Sequence, residues 1–134
     1  MMGDELVVPI RADADVLLAR QKARELAKPL KFSSSELTLI ATAISEVARN
    51  IVAYAKQGEI VLRLVTHGRR RGIRVVAHDQ GPGIPDIARA MQDGFSTSAS
   101  LGLGLPGSKR LMDEFDILSA VGKGTTITMT KWER

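Results

Sequence analysis

Ile73-Arg74-Val75-Val76-Ala77-His78-Asp79-Gln80-Gly81-Pro82-Gly83-Ile84-Pro85 is an apolar run that breaks abruptly into a carboxylate and a glycine- and proline-rich path. The β-branched residues up to Ala77 read as a strand, and Asp79 ends it. Gly81 and Gly83 lack a Cβ, so the backbone there can take positive φ and let a ligand press against it, while Pro82 and Pro85 stiffen the path. Asp79 then faces a floor made of backbone and can accept a hydrogen bond from an amino group such as the exocyclic amine of a base. An unpaired buried partner costs about 1–3 kcal/mol, which is what makes such a contact discriminate. Taken alone, the same residues also fit an ordinary Asp-Gly turn, and the surrounding chain has to decide.

Upstream, Glu59 to Thr66 and Gly72 to His78 are β-rich and predict an antiparallel hairpin whose connection, His67-Gly68-Arg69-Arg70-Arg71-Gly72, is a basic, solvated turn. Before it, Ser33-Ser34-Ser35-Glu36 supplies a capping box for a long periodic run, Leu37 to Ala55, the longest helix of the chain. Glu5 to Arg11 predicts a strand. Ala12 to Leu30, apolar at Val16, Leu17, Ala19, Ala23, Leu26 and Ala27, predicts an amphipathic helix closed by Pro29.

Downstream, Ile84 to Met91 reads as a short helix and Gln92 to Ser100, with Phe95 its single aromatic, as a mobile segment. Leu101-Gly102-Leu103-Gly104-Leu105-Pro106-Gly107 leads into a helix over Ser108 to Glu114, and Phe115 to Val121 and Thr125 to Trp132 pair around Gly122-Lys123-Gly124. The order βααββααββ implies an α+β two-layer sandwich, with a mixed or antiparallel sheet covered on one face by helices, in a single domain over residues 1–134.

With 44% apolar and 25% charged residues, the chain suits one core. The absence of cysteine excludes a disulfide framework and any Cys-based zinc or redox site, and fits the cytosol. Met1-Met2-Gly3-Asp4-Glu5 lacks the basic flank and apolar core of an export signal, and no apolar run approaching a membrane span is expected. The net charge of +4 is mild, and without an array of aromatics the basic turn does not predict nucleic-acid binding.

Glu46 and Asn50 share one helix face at i, i+4 spacing, with Cβ atoms about 5–6 Å apart, and both interrupt an apolar stretch containing Ile44, Val47, Ala48 and Ile51. A carboxylate and a carboxamide in such company need partners. Asn offers a neutral oxygen to Mg²⁺ shared with substrate phosphates, and Glu a general base for a hydroxyl or water. A solvated polar stripe is the other reading of this pair. The segment Gly102 to Lys109 lacks the Gly-Lys-Ser/Thr order of a P-loop, and Gly81 to Asp86 lacks the third glycine of a dinucleotide fingerprint. What remains is a glycine-rich approach to a helix N-terminus, which offers N–H groups to phosphate oxygens.

Taken in order, Glu46-x-x-x-Asn50, Asp79-x-Gly81-x-Gly83, Leu101-Gly102-Leu103-Gly104-Leu105 and Gly124-Thr125-Thr126 resemble the boxes of the GHKL (Bergerat-fold) ATPase superfamily. The chain looks like its smallest branch, the bacterial partner-switching Ser/Thr kinases, and Gly104 to Phe115 is most similar to the stressosome switch kinases. The resemblance implies ATP and Mg²⁺ as cofactors, with Asn50 on the metal, Glu46 as the catalytic residue that orients or deprotonates the nucleophile, and Asp79 on the adenine amine. It further implies a pocket lined by Gly81, Gly83, Gly102, Leu103 and Gly104, with Lys109 near the β- or γ-phosphate or else solvated.

Thr126 matches a position on the adenine side, Thr125 being the competing assignment. The segment between Gly83 and Gly102, including Gly94 to Ser98, would be the ATP lid. STAS-domain substrates and a PP2C-type phosphatase are the implied partners, and the resemblance admits a homodimer. His67 and His78, the only histidines, lie in strand or hairpin contexts unlike a phosphoacceptor helix. Anti-sigma-factor kinases share every nucleotide box, and a nucleotide-gated binding module without transfer is the reading of another class.

Overall fold

The computed structural model describes residues 5–84, 91 and 104–134. Ser33 opens helix α2 (Ser34–Asn50) as its sequence predicts. Its hydroxyl accepts the Glu36 N–H at 3.0 Å, and its own N–H reaches Glu36 Oε1 at 3.0 Å. Ile40, Ala43, Ile44, Val47, Ala48 and Ile51 recur every three or four residues and are buried. Helix α1 (Asp13–Leu26) packs against α2, burying Val16, Ala19 and Ala23. It lacks a side-chain cap at Ala12, and Asp15 Oδ2 instead reaches back to the N–H groups of Arg11 and Ala12 at 2.8 and 3.1 Å. The helix stops at Leu26 rather than Leu30, because Pro29 disfavours helical backbone at Lys28.

The run expected to be one helix as far as Ala55 widens after Asn50 into a π-helical turn, Ile51–Ala55. Lys56 closes it at φ 74°, the one non-glycine in the left-handed region among the described residues. Contrary to expectation, Ser34–Ala55 spans 22 residues, long and apolar enough by length and composition to cross a membrane. Half of it is buried within the protein, as in a core helix.

Strands β1 (Glu5–Ile10), β2 (Gly58–His67), β3 (Arg70–Asp79), β4 (Glu114–Ala120) and β5 (Gly124–Trp132) form one antiparallel sheet in the order β1-β2-β3-β5-β4. Parity sorts their side chains: Ile73, Val75 and Ala77 join Ile60, Leu62, Ile127 and Met129 in the core beneath the helices. The alternate positions, among them Arg63, Arg74, Val76, Thr128 and Thr130, face away. The expected basic turn is mostly strand. Pairing runs out to His67 and Arg70, leaving Gly68-Arg69 as the turn, with Gly68 at φ 62° as a tight hairpin requires.

Helix α3 (Gly104–Leu111) starts a turn earlier than its sequence suggests. Pro106 falls in its first turn, where the missing N–H does no harm. Leu105, Gly107 and Ser108 are buried, and Ser108 Oγ donates to the Ala43 carbonyl of α2 at 3.4 Å. Gly107 therefore belongs to a helix packed on α2 and not to an approach loop. The expected Ile84 to Met91 helix, apart from its two end residues, and the expected mobile segment and lid lie outside the described residues.

The end of β5 ties several elements together. Glu133 accepts both Arg71 Nε and Nη2, at 3.0 and 2.9 Å, and the N–H of Lys31. Lys131 Nζ donates to Leu111 O at 3.0 Å, and Asp113 accepts from the Trp132 N–H at 2.8 Å and Arg134 Nη2 at 2.9 Å. Hydrogen bonds from Arg71, and then from Lys31, hold the Glu133 carboxyl below the ordinary glutamate range. A carboxyl with a lowered folded-state value stabilises the fold above its unfolded value and loses that contribution as pH falls. Glu133→Gln is expected to lower Tm at neutral pH, with the gap from the parent narrowing on acidification below the usual glutamate range. A gap independent of pH in calorimetric scans would show that the charge of this pair contributes nothing.

Candidate functional site

Asp79 is the last residue of β3, opposite Gly58 of β2 and Thr125 of β5. Parity turns its side chain toward the helices, where it is 7% exposed. Its Oδ1 accepts the Gly81 N–H at 2.9 Å, and its other oxygen has no protein donor among the described residues. The carboxylate is thus oriented by its own loop with one acceptor to spare.

Close backbone approach accounts for the surrounding glycines. A Cβ on Gly58 would lie 2.5 Å from His78 O and 2.9 Å from Ile51; one on Gly81 would lie 2.5 Å from the Ala55 Cβ. At Gly124, φ 91°, it would run into the Asp79 carbonyl oxygen, and at Gly83, φ 79°, into that of Ala120. Ile51 and Ala55 both come from the π-turn. The widened turn therefore presses the end of the long helix against the strand end that carries Asp79.

Asn50 immediately precedes that turn; it is half-buried, and its carboxamide makes no hydrogen bond among the described residues. Glu46, one turn earlier on the same face, is 2% exposed, with Arg49 Nη1 at 3.4 Å from Oε1. Arg49 is a contributor that sequence reasoning missed. Its i, i+3 spacing from Glu46 was the available signal.

The β4–β5 hairpin fixes the other side. Ser119 Oγ accepts the Ile84 N–H at 2.7 Å, donates to Gly124 O at 3.1 Å, and meets Thr125 Oγ1 at 2.8 Å; the Gly122 N–H donates to Pro82 O at 2.8 Å. With the one Ser119 hydroxyl hydrogen given to Gly124, Thr125 must donate to Ser119, which leaves the Thr125 oxygen with lone-pair capacity. Ser119 carried no signal in the sequence, since its role depends on strand pairing.

The structure separates the two threonines. Thr125 shares the helix-facing side with Asp79, whereas Thr126 is on the opposite side of the sheet, 2.8 Å from His78 Nδ1. Thr126 is therefore not brought together with Asp79; adjacent strand residues point to opposite faces, and the competing assignment, Thr125, has the right parity. Lys109 is exposed in the last turn of α3, beyond the residues buried against α2. Gly102 and Leu103 lie outside the described residues, and Gly104 begins α3. Among the described residues no three His, Cys, Asp or Glu side chains cluster as a metal cage.

A five-stranded antiparallel sheet with an oriented aspartate among glycines at the end of its central strand, and a Glu/Asn pair on the long helix above it, defines a nucleotide-binding class. The chain belongs to the histidine kinase-like ATPase domain family, whose pattern matches residues 10–131. It is 50% identical over 133 residues to "Serine/threonine-protein kinase RsbT" of Bacillus subtilis (strain 168), spanning 99% of this chain and 100% of that one. It is also 34% identical over 120 residues to "Anti-sigma F factor" of Thermoanaerobacter sp. (strain X514), 85% of this chain and 82% of the relative. Among solved structures, the RsbU and RsbW domains of a Mycobacterium tuberculosis protein superpose with a TM-score of 0.66 at 24% identity, over 98% of this chain and 33% of that one. That likeness supports the fold alone.

Gly122 and Gly124 share φ values of 79° and 91°, yet nothing lies within 4 Å of a Cβ on Gly122. Gly124→Ala is expected to destabilise by more than about 1 kcal/mol, and Gly122→Ala by less, since it carries only the backbone cost. Equal shifts in denaturant midpoint would mean that the crossing of Gly124 over Asp79 is not tightly packed.

Proposed function

We propose that this site binds Mg-ATP and transfers its γ-phosphoryl group to a serine or threonine hydroxyl of a protein partner. The chain is a protein serine/threonine kinase of the partner-switching type by its full-length relative, and it acts on protein partners. One observation carries the assignment of the nucleotide site: the Asp79 carboxylate is held by Gly81 with one acceptor oxygen uncommitted, above a floor that only glycine fits.

The described residues suit the nucleotide and its metal. Asp79 offers the acceptor that an adenine amine needs, and Thr125 stands beside it with lone-pair capacity. The Asn50 carboxamide, which makes no hydrogen bond among the described residues, offers a neutral oxygen ligand. With no cage of His, Cys, Asp or Glu among the described residues, Mg²⁺ would be shared among Asn50, water and the phosphates, which is its usual mode. When bound, the metal supplies neutralisation of phosphate charge.

In this proposal Glu46 serves as base: its carboxylate would take the hydroxyl proton as the oxygen attacks phosphorus and the bond to the leaving ADP oxygen breaks, with Arg49, 3.4 Å away, helping to orient it. Gly81, Gly83, Gly102, Leu103 and Gly104 complete the pocket in this proposal, with Lys109 at its solvent edge. STAS-domain proteins are the proposed substrates, a PP2C-type phosphatase the partner activated on release, and the cytoplasm the compartment.

Asp79→Asn and Thr125→Val are expected to weaken ATP binding by about 10-fold or more, because each removes an acceptor, whereas Thr126→Val leaves affinity unchanged. Calorimetry showing that Thr126→Val is the damaging change would move the adenine to the other side of the sheet. Asn50→Ala is expected to weaken Mg-ATP binding, and Glu46→Gln to leave binding near normal while slowing transfer by about 10²–10⁴-fold. Incubation with Mg-ATP and a STAS-domain protein is expected to give acid-stable, alkali-labile phosphate on that partner. Equal loss of binding in both variants would make Glu46 structural. Label confined to a partner recovered in a complex with a sigma factor would favour the anti-sigma role suggested by the 34% identical relative.

A further inference from the structure

On the side of the sheet facing away from the helices, a groove of about 530 Å³ is lined by Arg63, Val65, Arg70, Arg74, Glu114 and Trp132, among others. Strand register builds it. Arg63 pairs with Arg74, Arg74 with Thr130, and Trp132 with Gly72. A Cβ on Gly72 would lie 2.8 Å from the indole, so glycine makes the room in which Trp132 lies 5% exposed over β3. The Arg70 guanidinium sits 4.5 Å above the ring centre, and the indole N–H donates to Glu114 Oε2 at 2.8 Å.

The charges of this groove are unbalanced. Arg70 has no carboxylate partner among the described residues, and Arg74 spends only Nε, on Thr130 Oγ1 at 3.1 Å. Arg63 faces Glu5 at 3.6 Å, with side chains 39% and 51% exposed, a loosely held surface pair. Glu114, the one acidic lining residue, already serves the indole. On the helix-facing side the opposite holds: Arg71 is bidentate on Glu133, and Lys131 has Asp113 at 3.8 Å. Arg70 and Arg74 thus bring uncommitted guanidinium groups into one groove beside the loosely paired Arg63, across the sheet from Asp79.

We infer that this groove is a docking site for an acidic segment of a protein partner, whose carboxylates engage Arg63, Arg70 and Arg74. Guanidinium forks match carboxylates bidentately, and Arg70 is held in place by stacking on Trp132. Single-stranded nucleic acid is a poorer fit, because one face of the groove's indole is already covered by Arg70 and no second stacking ring lines the groove beyond His67 at its rim. A second copy of the chain is also a poorer fit, since a two-fold contact through this groove would bring like charges, Arg70 and Arg74 of each copy, together.

Trp132 is the only tryptophan, so its emission reports the groove directly. Titrating the intact protein with a short peptide of glutamates interspersed with leucines is expected to shift that emission saturably, with affinity falling as salt rises. Arg70→Glu combined with Arg74→Glu is expected to abolish the shift, whereas Arg69→Glu, in the turn outside the groove, preserves it. The milder pair Arg70→Gln and Arg74→Gln, which guards against misfolding, is expected to weaken binding about tenfold. No shift, an equal shift with a lysine-for-glutamate peptide or with oligothymidylate, or full affinity in the glutamine pair would overturn the inference. So would sedimentation showing a dimer that the same substitutions dissociate, because the occupant would then be a second copy. None of these readouts uses ATP, so they stand apart from the nucleotide assignment.

Discussion

Backbone passes so close to backbone at the end of β3 that only glycine fits at the crossings, and the site depends on that crowding. Gly58, Gly81 and Gly124 each stand where a Cβ would overlap a neighbour, and those neighbours come from β3, its following loop and the π-turn. The contacts hold Asp79 between two strands and a helix end, and its own loop donates the hydrogen bond that aims it. A group positioned by contacts already made in the unliganded fold loses little freedom when it binds. Lys56, forced to φ 74° where the π-turn closes, carries part of the conformational cost of this arrangement.

Glu46 poses the converse problem. A carboxylate at 2% exposure in the core helix has been taken out of water, at a cost that its partners, Arg49 at 3.4 Å among them, must offset. Replacing buried ion pairs with well-packed apolar residues is often neutral or stabilising, by about 1–4 kcal/mol. Burial alone does not make Glu46 a stabilising residue, and the proposed role in proton transfer is consistent with a site where local rules of burial are broken.

Features set by neighbouring residues were legible in the sequence. The capping box at Ser33, the β-rich runs and the termination of β3 at Asp79 follow from local propensity and spacing, and the α+β plan follows from their order, though the choice of an antiparallel over a mixed sheet came from the strand pairing. Features set by contact between distant segments were not. The π-turn lies within an unbroken apolar periodicity, and it brings Ile51 and Ala55 against Gly58 and Gly81, contacts that local spacing does not express. Pro106 and Gly107 look like loop punctuation, yet one sits harmlessly in a first turn and the other packs a helix onto α2. The choice between Thr125 and Thr126 turns on parity across the β3–β5 pairing, which adjacent letters in a sequence do not express. Arg70 and Trp132 are far apart in the chain, and only strand order makes them neighbours.

Sheet order also dictates a sequence of events during synthesis. Strands β1, β2 and β3 are consecutive neighbours and can assemble as soon as they leave the ribosome, but β4 bonds only to β5 and must wait for it. Until β5 slots between β3 and β4, the β3 edge that ends in Asp79 stays open, with unpaired N–H and C=O groups available to any other extended chain. Closure of that edge brings Gly124 and Thr125 to Asp79, so the nascent chain completes the surroundings of Asp79 in the same step in which it loses an open edge.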